Sequence, residues 1–173
     1  MQWELITNII LAISILTLAI FVCLGICQWV TRKSLKKVDP ELLWMPLPLA
    51  LMALTYLIFE YIFVLNTRPN GSGEPSFPST HVMVVTTIFF LVTMILPKYV
   101  KNKTARVILE VLMVIMIGLN ATGRVLANMH WPVDVIGGIA FAFIFTEIYY
   151  MSYKKHKKIR RKNGKHIHKD NQR

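Results

Sequence analysis

Five long apolar stretches dominate this 173-residue chain and restrict what it can fold into. A helix crossing about 30 Å of hydrocarbon needs roughly 20 mostly apolar residues, because lipid offers no partner to an unpaired backbone amide. The stretches run over residues 5–30, 42–65, 81–96, 105–119 with room to extend to 127, and 132–153. They predict an all-α integral membrane protein, a bundle of about five transmembrane helices within residues 1–153. The third stretch is short for a span, and Pro46 and Pro48 are expected to kink the second. Only 17% of the residues are charged, against about 25% in an ordinary soluble domain. Cys23 and Cys27 lie inside the first stretch with no ligand grouping around them, so they read as packing residues rather than a disulfide or metal site. The acidic first residues and the length of the run that follows argue against a cleavable leader.

The net charge of +11 is unevenly placed. Residues 154–173 hold ten of the twenty lysines and arginines with one acid, while the other 153 residues hold ten bases and eight acids. The charge therefore describes a basic tail, expected to be disordered, and not a body built to bind nucleic acid. Such a tail serves as a topology anchor drawn to anionic lipid. The loops separate the same way. Arg32, Lys33, Lys36 and Lys37 follow the first stretch, and Lys98, Lys101, Lys103 and Arg106 follow the third. The opposite side has only Arg68 and Arg124, offset by Glu4 and Glu74. Cytoplasmic loops carry the excess of bases, so the N-terminus is expected outside and the tail in the cytoplasm.

The base-poor side holds the unusual residues. Between the second and third stretches stand Arg68-Pro69 and then Pro75-Ser76-Phe77-Pro78-Ser79-Thr80-His81; between the fourth and fifth stand Gly123-Arg124, His130-Trp131-Pro132-Val133-Asp134 and Gly137-Gly138. Two guanidiniums can bind a phosphate through charge-assisted hydrogen bonds. Ser79 and Thr80 lie where a helix should begin after Pro78, and the free amides of a helix N-terminus form an anion site that Ser or Thr commonly caps. A histidine can attack phosphorus or protonate a leaving oxygen. Pro132 suits a first helical turn, which puts Asp134 where its carboxylate can reach back towards His130 and hold one ring nitrogen protonated. Taken alone, that pair fits a capped helix with a satisfied histidine better than a catalytic site. The two arginines alone fit snorkelling at the interface. Two histidines, two arginines and an aspartate at one membrane face point to phosphate chemistry. Gly137-Gly138 reads as close helix packing, and Glu60, Glu110 and Glu147 as interhelical hydrogen bonding, with pairing to an arginine an equal alternative for Glu60.

In these residues the chain resembles the phosphatidic acid phosphatase type 2 superfamily of membrane lipid phosphatases, relatives of the vanadium haloperoxidases. That family's pattern is Lys, six residues, Arg-Pro; then Pro-Ser-Gly-His; then Ser-Arg, five residues, His, three residues, Asp. Arg68-Pro69 matches the end of the first part, Pro78-Ser79-Thr80-His81 three of four positions of the second, and Arg124, His130 and Asp134 the third with both spacings intact. Tyr61 stands at the lysine, Thr80 at the glycine and Gly123 at the serine. The chain has five spans where the family commonly has six. The resemblance implies a lipid phosphatase with its site at the extracytoplasmic helix ends, acting through a phosphohistidine without metal or other cofactor. It implies His130 as nucleophile, Asp134 as its orienting partner, His81 as acid, and Arg68, Arg124, Ser79 and Thr80 as phosphate ligands. The implied partners are the bilayer and a lipid phosphate: polyprenyl diphosphate first, as in a bacterium that recycles such a carrier on its outer leaflet, then phosphatidylglycerophosphate or phosphatidate. A lipid phosphotransferase and a non-catalytic lipid-phosphate-binding protein are the alternatives.

Overall fold

A computed structural model describes the backbone of residues 2–170 and the side chains of residues 2–160. Its helices are α1 (Gln2–Arg32), α2 (Pro40–Leu43), α3 (Pro46–Tyr61), α4 (Thr80–Tyr99), α5 (Lys103–Leu126) and α6 (Pro132–Asp170), with a 3-10 turn at Leu35–Lys37. Five spans long and apolar enough to cross a membrane result, with α2 and α3 counting as one, so the chain is an integral membrane protein. The α4 helix sits at the centre and packs against α1, α3, α5 and α6. Val82, Met83, Val85, Ile88, Leu91 and Ile95 of α4 are almost wholly buried, whereas α1 and α5 turn apolar faces outward, as lipid-facing helices must.

Several boundaries differ from those expected. The third span is a full 20 residues, Thr80–Tyr99. It continues past Pro97 because Lys98 and Tyr99 bond to the α1–α2 connection instead of ending the helix in water. The second span is interrupted at Trp44–Met45, with Pro46 opening α3, where a missing amide costs no hydrogen bond. It ends at Tyr61, so residues 62–65 lie outside the helix. The fifth helix runs straight across the expected boundary at residue 153. Two of its basic residues have partners there: Lys157 bonds Glu41 at 2.9 Å and Arg160 the Val38 carbonyl at 2.9 Å. The rest of the expected disordered tail, residues 171–173, lies outside the described residues. Cys23 and Cys27 are exposed on α1 and do not pack in the core.

One end of the bundle is held by two carboxylates. Asp39 accepts from Gln28 Nε2 (2.9 Å) and Tyr99 Oη (3.0 Å) and pairs with Lys98 (3.0 Å). Glu41 pairs with Lys98 (3.1 Å) and Lys157 (2.9 Å), while its carbonyl accepts from Tyr149 Oη (2.8 Å). Partial burial alone would raise the Asp39 pKa, but the bonds from Gln28, Lys98 and Tyr99 outweigh it and bring the carboxyl to about 2. A lowered carboxylate pKa stabilises the fold above its unfolded value near 4, and that contribution fades as pH falls through about 2. Glu41→Ala is expected to cost about 1–3 kcal/mol, less than a fully buried pair because both lysines are partly exposed. Thermal unfolding in detergent measures the loss.

Candidate active site

The 18 residues between α3 and α4 form a short hairpin that folds back over the end of the bundle. Thr67 and Pro75 pair as an antiparallel bridge, the Arg68 amide donates to the Glu74 carbonyl (3.0 Å), and the Ser76 amide donates to the Asn66 carbonyl (2.9 Å). Gly71 and Gly73 turn the hairpin at φ 78° and 74°, a region open to glycine at little cost. The chain then runs through Phe77 and Pro78 to Ser79, whose amide donates to the Asp134 carbonyl at 2.9 Å. Gly137 and Gly138 make that approach possible. A Cβ on Gly137 would strike the Phe77 ring, and one on Gly138 would stand 2.8 Å from the Ser79 carbonyl oxygen. The pair is a close-packing device, as its sequence context indicated.

Asp134, wholly buried, is the third residue of α6. Its Oδ2 accepts from the Trp131 amide (2.8 Å), satisfying the helix N-terminus as the third residue of a capping box does. The same carboxylate accepts from the Ser76 hydroxyl and, through Oδ1, from Asn66 Nδ2 (3.4 Å). Trp131 Nε1 donates to the Thr67 carbonyl (2.9 Å), a second tie between the hairpin and α6.

His130 is where the structure departs most from the expected arrangement. Its Nδ1 lies 3.8 Å from Asp134 Oδ2, too far for a hydrogen bond, and 2.9 Å from the Ser76 carbonyl oxygen. Asp134 is drawn away by the Trp131 amide, and Ser76 fills the gap. A carbonyl only accepts, so Nδ1 carries the proton and Nε2 keeps its lone pair. Burial and then the Arg124 charge push the His130 pKa down to about 4, against the opposing effects of Ser76 and Asp134.

A cavity of about 270 Å³ is lined by His130, His81, Arg68 and Thr80, with Leu11, Tyr56, Glu60 and Val84. His81 Nε2 is 3.2 Å from Asn8 Oδ1 of α1. Arg68 pairs with Glu74 at 2.7 Å. Arg124 on α5, Ser79 and Asp134 are buried, and none of the three lines this cavity. Among the described residues, Arg68 Nε, Arg124 Nε and Ser79 Oγ are buried with no hydrogen-bond partner. Ser79 precedes α4 but its side chain makes no cap.

A seven-residue spacing on one continuous helix would put Tyr61 on nearly the same face as Arg68, with Glu60 turned away. Because α3 ends at Tyr61, Arg68 is on no helix; Glu60 lines the cavity and Tyr61 is 73% exposed. Asn8, Asn66 and the bridging role of Ser76 have no signal in the sequence, since each depends on a chain reversal that local spacing does not encode. Gly138→Ala is expected to destabilise by about 1–3 kcal/mol through overpacking against Ser79. Gly118→Ala, whose Cβ would meet nothing within 4 Å, should be neutral or stabilising in the same unfolding measurement.

The family model that matches the chain is that of the PAP2 superfamily, over residues 57–158. Among solved structures, the first transmembrane PAP2 type phosphatidylglycerolphosphate phosphatase from Bacillus subtilis shares the fold. Its crystal structure superposes with a TM-score of 0.68 at 19% identity, covering 89% of this chain and 77% of that one. Comparison with curated proteins gave no match.

Proposed function

The chain belongs to the PAP2 superfamily, and on that premise we propose that it is a membrane lipid phosphatase working through a phosphohistidine on His130. The observation that carries this reading is the His130 ring, with Nδ1 committed to the Ser76 carbonyl and its other edge left to a cavity shared with His81 and Arg68. Nε2 attacks phosphorus as the bond to the leaving oxygen breaks, and His81 gives that oxygen its proton. Water then attacks the phosphohistidine, its proton returning to His81 as phosphate departs and Nε2 recovers its lone pair. Arg68 and the Thr80 amide, which line the cavity, stabilise charge on the phosphoryl oxygens, and resemblance to the family gives the buried Arg124 and the Ser79 hydroxyl the same role. Three buried donors without partners, on Arg68, Arg124 and Ser79, support an anion at this place. No step calls on a metal.

Ser76 and Asp134 position the nucleophile in this scheme. Asp134 acts through the Ser76 hydroxyl, holding the residue whose carbonyl fixes the His130 tautomer. Asn8 holds the ring of His81. The site lies at the N-terminal ends of α1, α4 and α6, opposite the basic loops, which supports an extracytoplasmic location. A lipid used on that leaflet is then the substrate. Polyprenyl diphosphate comes first, with phosphatidylglycerophosphate, the substrate class for which the Bacillus subtilis phosphatase is named, and phosphatidate next. The tail beyond residue 153 is proposed as the cytoplasmic anchor.

Phosphate release from these lipids by protein in detergent is expected to persist with EDTA present and to be lost in His130→Ala. Unchanged release in that variant would overturn the reading. Ser76→Ala is expected to lower kcat about 10–100-fold with KM little changed, as the loss of a group orienting the nucleophile would. The attacking imidazole must be neutral, so its low pKa keeps it competent as pH falls, and the acid limb of kcat/KM owed to His130 should lie near 4 rather than near 6.5.

A further inference from the structure

A second feature lies towards the other end of α1, from about 20 Å beyond Asn8 at Phe21 to about 36 Å at Arg32 by helix rise. There α1 and the α2–α3 segment diverge around a groove of about 200 Å³ with apolar walls, lined among others by Phe21, Gly25, Trp29, Leu35, Leu42 and Leu49. Trp29 and Leu35 are half exposed at its rim, while Val38 and Met45 are buried at its base. The turn that closes the groove is pinned by arginines. Arg32 donates to the Lys37 carbonyl, and Arg160 to the carbonyls of Val38 (2.9 Å) and Leu35 (3.5 Å). The same turn presents Lys33, Lys36 and Lys37, all exposed and, among the described residues, in no ion pair. The nearby acids are already used, Asp39 by Arg32 and Lys98, and Glu41 by Lys98 and Lys157.

We propose that this groove and turn form a binding site for an anionic phospholipid of the adjoining leaflet, one acyl chain lying in the groove and the phosphate on Lys33, Lys36 and Lys37. Charge complementarity selects this occupant over a second copy of the chain. A second copy would bring the same lysines and the same paired acids to this membrane level, whereas a lipid phosphate brings the missing negative charge. Trp29 is placed as interfacial aromatics are, at headgroup depth beside the chain. The groove is built from residues 21–49, outside the segment that the family model matches and apart from the phosphatase site, so the site stands or falls independently of the proposed reaction.

The test uses the full chain in phosphatidylcholine vesicles holding a fixed minor fraction of lipid brominated on its acyl chains, either phosphatidylglycerol or phosphatidylcholine. The quenching that disappears in Trp29→Phe belongs to Trp29. It should report about fivefold or greater preference for the phosphatidylglycerol, the gain that one lysine near an anionic headgroup can supply. The triple change Lys33→Gln, Lys36→Gln, Lys37→Gln should bring the two lipids to parity, and Gly25→Phe, which fills the groove, should reduce quenching by both. Equal quenching by the two lipids in the unaltered chain would overturn the proposal. So would a preference that survives the triple change, or quenching that falls as protein density in the vesicle rises, which would mark a second copy as occupant.

Discussion

The buried carboxylate of Asp134 is the contact on which the functional end of the molecule depends. It closes the N-terminus of α6 through the Trp131 amide and receives the Ser76 hydroxyl and the Asn66 amide from a hairpin some sixty residues earlier in the chain. A carboxylate so far from water is tolerable only when its oxygens are hydrogen-bonded. The need to satisfy it therefore forces the hairpin down onto α6, and that docking brings the Ser76 carbonyl to His130 and Ser79 to the start of α4. Gly137 and Gly138 permit the approach by offering no side chain where Phe77 and the Ser79 carbonyl must pass. One buried charge thereby fixes helix start, hairpin position and histidine tautomer together.

The span count and the placing of Asp134 in the first turn of a helix opened by Pro132 were legible because each rests on a local rule. Twenty apolar residues make a span, and Pro132, between His130 and Asp134, opens the helix that carries Asp134 in its first turn. The bond expected between His130 and Asp134 is not formed. At the third helical position Asp134 has a closer claim on its charge, the Trp131 amide, and the residue that takes its place beside His130 comes from a different loop. Tyr61 shows the same limit from another side. Counting seven residues to Arg68 assumes one continuous helix, but α3 stops at Tyr61 and the intervening residues lead into the hairpin, which leaves Glu60 on the cavity wall. Asn8 was out of reach for a simpler reason: nothing local says that α1 packs beside α4 with its second turn level with His81.

The two ends of the bundle use charge in opposite ways. At the basic end, lysines and arginines outnumber acids and are spent on pairing Asp39 and Glu41, pinning the turn after α1 and continuing α6 past the apolar stretch. At the other end stand two arginines, Arg124 buried and Arg68 paired with Glu74, and the Nε of each is buried with no hydrogen-bond partner among the described residues. The excess of bases at one face and the sparse arginines at the other are the asymmetry that the positive-inside rule expects of a chain with one orientation in a membrane.

The measurement that bears most directly on the proposed reaction is rapid acid-free quenching of the protein during turnover of a lipid phosphate, followed by mass spectrometry of the phosphorylated peptide. A phosphoryl group carried on the peptide containing His130, absent when His130→Asn is used, is the predicted result. Phosphate release with no phosphorylated peptide, or with the group on another residue, would contradict it.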